Sequence, residues 1–151
     1  MKHTPQAPTS ATLTRGFAPG PARRALLSAM AIAGFGWTGG AQAAEDAVSL
    51  EAARAEYEAG RAVLIDIREP AEHATGVAAG AHLLPMRQLG ARLAEIPTDS
   101  SKPVYLICNS QNRSSATLKV LRERGYAHVR YVNGGMSEWA RRGWPLVKPA
   151  T

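Results

Sequence analysis

The residues best suited to chemistry lie together. Cys108 is the single cysteine of the 151-residue chain, and the stretch "VYLICNSQNRSSATLKVLRERGY" places it between an apolar run and a helical pattern. Four polar residues, Asn109, Ser110, Gln111 and Asn112, separate it from Arg113. A thiol reacts as its thiolate, so the chemistry depends on whether this setting favours the anion. A loop curled around the sulfur would turn backbone N–H groups inward. Such concave sets bind anions, and a helix that follows adds the positive end of its dipole. Arg113 adds a full positive charge. Each effect favours thiolate over thiol. The same cradle would hold a second negative atom bonded to sulfur, in a persulfide or a phosphoryl group. A lone cysteine at a strand end is more often an inert, buried small hydrophobe. Five successive polar residues, Asn109 to Arg113, are a poor setting for that.

Strands and helices must alternate to place this loop. "DAVSLEAARAEYEAG" reads as a short strand and then a helix, with Ser49 as N-cap and Gly60 as its stop. The nearly continuous apolar run Ala62 to Ile67 suits a strand covered on both faces of a parallel sheet. "EPAEHATG" predicts a short helix or turn with Pro70 early, and "AHLLP" a brief strand stopped by Pro85. "MRQLGARLAEIP" predicts a helix, with Leu89, Leu93 and Ile96 at helical spacing. "PVYLI" is the next buried strand. "SSATLKVLRERG" is a helix with Leu118 and Leu121 inward and Lys119, Arg122 and Glu123 outward. "VRYV" is a strand, Gly134-Gly135 a turn and "MSEWARRG" a last helix. The pattern is that of an α/β domain with a mostly parallel sheet, where ligands bind beyond the carboxyl ends of strands. Cys108 stands at such an end.

The first part of the chain has a different character. Residues 1 to 24 carry Lys2, Arg15, Arg23 and Arg24 and no acid, and the twenty residues from Ala25 to Ala44 carry no charge. A basic leader, an apolar segment and Ala41-Gln42-Ala43 form the pattern of a secretory signal peptide, expected to be cut after Ala43. The rival is a retained membrane anchor, but Ser28, Gly34, Gly36, Thr38, Gly39 and Gly40 leave the apolar part short. Arg23-Arg24 resembles a twin-arginine export signal, and ordinary secretion fits as well. The expected domains are therefore a signal peptide, 1–43, and one small domain, 44–151, in the periplasm or secreted.

Removing the leader changes the charge argument. The whole chain is formally +6, whereas the 108 remaining residues keep 14 of 18 bases and all 12 acids, a formal +2. No long basic run remains, so nucleic acid is not an expected partner. Without the leader no membrane association is expected either. One cysteine cannot form an internal disulfide, so in an oxidising compartment either the thiol is incidental or its own chemistry is the reason for it.

The combination of motifs resembles the rhodanese, or sulfurtransferase, domain. "LIDIREPAEHATGVAAGAHLLP" is similar to its first motif, "CNSQNRSS" to its active-site loop and "GYAHVRYVNGGMSEWARRGWPL" to its C-terminal motif. The three blocks stand in the family's order across Ala47 to Val147. The resemblance implies a rhodanese-like five-stranded parallel sheet with helices on both faces. It implies that Cys108 takes a sulfane sulfur from a small anion such as thiosulfate, carries it as a persulfide and passes it to cyanide or a thiol. Carried over, Asn109, Ser110, Gln111, Asn112 and Arg113 are the substrate cradle, Arg113 is the anion-binding side chain, and Ser114 opens the helix. Asp66 and Arg68 match an Asp-x-Arg that supports the loop; the plainer alternative is a strand-end pair capping a turn.

Two departures stand out. Gln111 occupies a place where many such loops have glycine, and Gly76-Val77-Ala78-Ala79-Gly80-Ala81 lacks a histidine usual in that motif. Phosphatases of related fold use Cys-x5-Arg, whereas Cys108 to Arg113 is Cys-x4-Arg and Ile107 precedes it in place of histidine. Sulfur transfer is thus expected over phosphatase or arsenate reductase chemistry. A non-enzymatic sulfur-carrier or docking module is the other alternative. The expected partners are a small sulfur-containing anion and a thiol or sulfur-acceptor protein. His73, His82 and His128 lack metal-ligand spacing and read as surface or loop residues, so no metal and no cofactor are expected. Trp139 and Trp144 are expected to pack the last helix and tail onto the core, and Gly134-Gly135 to lie near the cysteine loop.

Overall fold

The computed structural model describes residues 45–149. The expected signal peptide and its cleavage point lie outside the described residues.

Five strands form one all-parallel sheet: β1 (Ala47–Val48), β2 (Val63–Asp66), β3 (His82–Leu83), β4 (Val104–Ile107) and β5 (Val129–Val132). Their spatial order is β1-β5-β4-β2-β3, which puts β4 in the centre. Every residue of β4 is buried, as a strand covered on both faces requires. The helices are α1 (Leu50–Glu58), α2 (Pro70–His73), α3 (Asn112–Glu123) and α4 (Gly135–Arg141). The Ser49 side chain caps α1 by accepting the Ala52 N–H.

Alternation along the strands divides the core in two. Ile65, Val104, Leu106, Cys108 and Val129 pack with Leu118 and Leu121 of α3. Leu64, Tyr105, Ile107 and Val132 pack with Leu50 and Ala53 of α1 and Met136 and Trp139 of α4. Burying each large aliphatic side chain is worth about 1.5–3 kcal/mol, so these two layers hold the sheet rigid between them. Helices thus cover both faces, as expected for this fold. Trp139 is buried, meets Trp144 edge-to-face at 5.0 Å and donates its Nε1–H to the Pro145 carbonyl, fastening the tail.

The sequence pattern misleads in one place. The helix expected over Met86 to Pro97 is two short 3₁₀ turns, Met86–Gln88 and Leu93–Glu95. Leu89 and Ile96 are buried and Leu93 packs against the same core cluster, so the apolar positions do point inward. A twelve-residue helix is marginal by itself, and Gly90 in its middle costs about 1 kcal/mol more than alanine. The chain instead lays its apolar residues on the sheet in two separate turns. α3 differs in a smaller way: it begins at Asn112 rather than after Arg113, so it absorbs the last two residues of the expected loop.

Candidate active site

The alternation that buries Val104 and Leu106 on the α3 side carries Cys108 to the same side, one residue past the end of the central strand. Its side chain is 1% exposed. The Sγ–H donates to Ser114 Oγ at 3.5 Å, and that hydroxyl donates to the Gln111 carbonyl at 3.1 Å. Sulfur therefore meets a hydroxyl from the first turn of α3 and otherwise apolar surroundings.

The first turn of α4 fixes the other side of the loop. The Met136 N–H donates to the Cys108 carbonyl at 2.8 Å and the Ser137 N–H to the Asn109 carbonyl at 2.9 Å. Gly135 makes this approach feasible. Its φ is +60°, and a Cβ there would stand 2.5 Å from the Cys108 carbonyl oxygen, 2.6 Å from that of Asn109 and closer still to that of Ser110. Because C=O and N–H point opposite ways across a trans peptide, turning these carbonyls toward α4 turns the following N–H groups away from it. Among the described residues, none accepts the N–H groups of Asn109, Ser110, Gln111, Asn112, Arg113 or Ser114. Six successive N–H donors without an acceptor, in the loop that follows Cys108 and at the head of a twelve-residue helix, are free to bind an anion. Asn109, Ser110 and Asn112 are exposed.

Arg113 is placed differently from the sulfur. Its Nη1 and Nη2 donate to the two carboxylate oxygens of Glu72 at 2.7 and 2.6 Å. The fork holds the Glu72 carboxyl down at about 2, well below the ordinary carboxylate range, and raises Arg113 further above its ordinary value. The pair is about one-third exposed. The loop is thereby bound to α2, and most of the Arg113 charge is met by Glu72.

Asp66 and Arg68 hold α2 in turn. Both are buried, and the Arg68 guanidinium grips the Asp66 carboxylate through Nε, at 3.0 and 2.9 Å, and Nη2, at 2.6 Å. Nη2 also reaches the Gly76 carbonyl at 2.8 Å and Nη1 that of Glu72 at 3.4 Å. The pair is the frame of the Asp66–Gly76 segment and makes no bond to the cysteine loop. Its link to the loop runs through Glu72. Glu72 was not among the expected site residues: it and Arg113 are 41 positions apart, and no local pattern relates them. His73 corrects another expectation. It is 4% exposed, not a surface histidine, with Nε2 3.5 Å from Asp66 Oδ1.

Comparison with known proteins identifies the architecture. A family model for the rhodanese-like domain matches residues 49–142. The chain belongs to the rhodanese-like domain family. It is similar to a sulfurtransferase of Allochromatium vinosum, 41% identical over 87 residues that make up 58% of this chain and 79% of that one. It is likewise 42% identical over 86 residues to an uncharacterised Bacillus subtilis protein, covering 56% of this chain and 67% of that one. Among solved structures, a human single-domain sulfurtransferase superposes with TM-score 0.56 at 27% identity, over 64% of this chain and 96% of that one. A rhodanese-related protein of Thermoplasma volcanium superposes with TM-score 0.58 at 28% identity, over 68% of this chain and 98% of that one. The family and its relatives named as sulfurtransferases support sulfur transfer in general.

Proposed function

We propose that the protein is a sulfurtransferase that moves sulfane sulfur from a donor anion such as thiosulfate to cyanide or a thiol through a persulfide on Cys108. The observation that carries this reading is the run of six acceptor-free N–H groups, Asn109 to Ser114, in the loop that follows Cys108. In the first step the Cys108 thiolate attacks the outer sulfur of thiosulfate, the S–S bond breaks and sulfite leaves with the bonding pair. The new outer sulfur bears the negative charge, and the cradle is suited to hold it. In the second step the acceptor attacks that outer sulfur and Cys108 departs as thiolate, giving thiocyanate when the acceptor is cyanide. Two displacements at one sulfur predict ping-pong kinetics. Arg113, oriented by Glu72, lends positive potential to the donor anion on its way in.

The leader supports a further part of the reading, that the domain acts after export, in the periplasm. Sequencing the amino terminus of the protein recovered from that compartment checks it, with Ala44 expected first.

The activity test compares thiosulfate:cyanide turnover of the wild type and Cys108→Ser. Turnover no higher in the wild type would overturn the enzyme reading. A mass gain of one sulfur on Cys108 without turnover would instead identify a sulfur carrier.

A further inference from the structure

Gln111 is the departure that the sequence leaves without a reason. Its φ is −154°, outside the left-handed region that favours glycine, so the backbone does not require glycine there and a side chain is free to act. The side chain is used: Gln111 Oε1 accepts the N–H of Gly134 at 3.0 Å. Gly134, with φ +81°, is the left-handed residue that opens α4. The Gln111 carbonyl is engaged as well, accepting the Ser115 N–H at 2.8 Å and the Ser114 hydroxyl at 3.1 Å. That hydroxyl is the one that faces Cys108 Sγ. One residue therefore joins the β5–α4 turn, through its side chain, to the hydroxyl beside the sulfur, through its backbone.

Three bonds hold the loop to the start of α4. Two of them, from Met136 and Ser137 to the Cys108 and Asn109 carbonyls, are backbone bonds that secure the near half of the loop. The far half has only the carboxamide of Gln111. We propose that Gln111 is a positioning residue for sulfur transfer, a clamp whose carboxamide oxygen fixes the far half of the loop to the Gly134 turn and so keeps the Ser114 hydroxyl and the N–H cradle aligned on Cys108. Its carboxamide acts through Ser114 and the loop peptides rather than on the sulfur. This rests on the sulfur-transfer reading for its consequence, but the clamp itself is measurable without a sulfur donor.

Two variants separate the clamp from bulk and from fold. Gln111→Met keeps the length of the side chain and loses the acceptor oxygen; Gln111→Glu keeps the oxygen and adds a charge. For Gln111→Met, amide exchange at Gly134 should accelerate and kcat with thiosulfate, per titrated thiol, should fall about fivefold, the size of one net hydrogen bond. For Gln111→Glu, which keeps the acceptor oxygen, Gly134 should stay protected and kcat should recover most of what Gln111→Met loses, while KM for the anionic donor rises several-fold from like-charge repulsion. A merely structural role would lower the urea midpoint of both variants together and would not split kcat from KM. Wild-type kcat per thiol in Gln111→Met, or a Gly134 amide as protected as in the wild type, would overturn the clamp. Should the wild type itself not turn over thiosulfate, the sulfur-transfer reading falls, and alkylation of Cys108 by neutral iodoacetamide then decides the clamp. Slower alkylation in Gln111→Met than in the wild type supports it, and equal rates overturn it.

Discussion

Around Cys108 the protein places a hydroxyl, backbone amides and apolar side chains; in the neighbouring segment from Asp66 to Gly76 it places carboxylates and guanidiniums. The cysteine loop is shaped by peptide groups bound to the first turns of α3 and α4. The Asp66–Gly76 segment is shaped by charged side chains that satisfy one another and its carbonyls. The difference bears on how the proposed persulfide would be held. A full charge beside a buried sulfur would carry its own desolvation cost, whereas peptide dipoles fixed by the fold are already oriented. The charges stay one layer out and hold the loop in place.

The largest expected effect tests the loop side of this comparison. Cys108→Ser should lose at least about a thousandfold in sulfur transfer with little change in stability, since the hydroxyl fits the same space. Turnover assays and urea unfolding read the two quantities. An equal loss of stability would mean that the thiol is mainly a core residue.

Next is the charged side. Asp66→Asn leaves the buried Arg68 guanidinium without a full partner and should cost about 3–5 kcal/mol, measured as a lower urea midpoint at unchanged slope. A cost below about 1 kcal/mol would show that the pair does not frame the segment. Gly135→Ala attacks the loop from α4. It adds the strain of a left-handed residue and a collision with three carbonyls, together about 2–5 kcal/mol, and should lower activity in whatever fraction stays folded.

Glu72→Gln probes the junction between the two regions. Losing one half of a partly exposed, charge-assisted fork should cost about 1–2 kcal/mol at neutral pH. The pH dependence follows from the lowered carboxyl. A group whose folded pKa, here about 2, lies below its ordinary value of 4.5 stabilises the fold above that ordinary value, and the contribution disappears as pH falls toward 2. The stability gap between wild type and Glu72→Gln should therefore be full at neutral pH and close across that acid window. A gap that persists to the acid end would mean that Glu72 acts through its shape rather than its charge.

Much of this was legible in the chain. The buried apolar runs at Val63–Asp66 and Val104–Ile107, the Ser49 cap and the alternation of strands with helices are short-range patterns, and each became the expected element. Cys108 was legible because its chemistry is intrinsic and its place follows from the strand before it and the helix after it. The 3₁₀ turns at Met86–Gln88 and Leu93–Glu95 were not, because Leu89, Leu93 and Ile96 can face the sheet from a helix or from two turns, and only the sheet they cover selects between them. His73 was read as exposed because burial of a histidine depends on the neighbours the fold supplies, here Asp66.

The sequence by itself determined the parallel α/β order, the single thiol at a strand end and the length of the loop to Arg113, since local periodicity and residue type are enough for those. The tertiary structure decided what surrounds that thiol's loop: Glu72 on Arg113 across 41 positions, Gly135 against the loop carbonyls, and Gln111 on Gly134. Those contacts join segments far apart in the chain, and hydrogen bonds at 3 Å are set only when packed helices and strands bring their ends to one rim of the sheet.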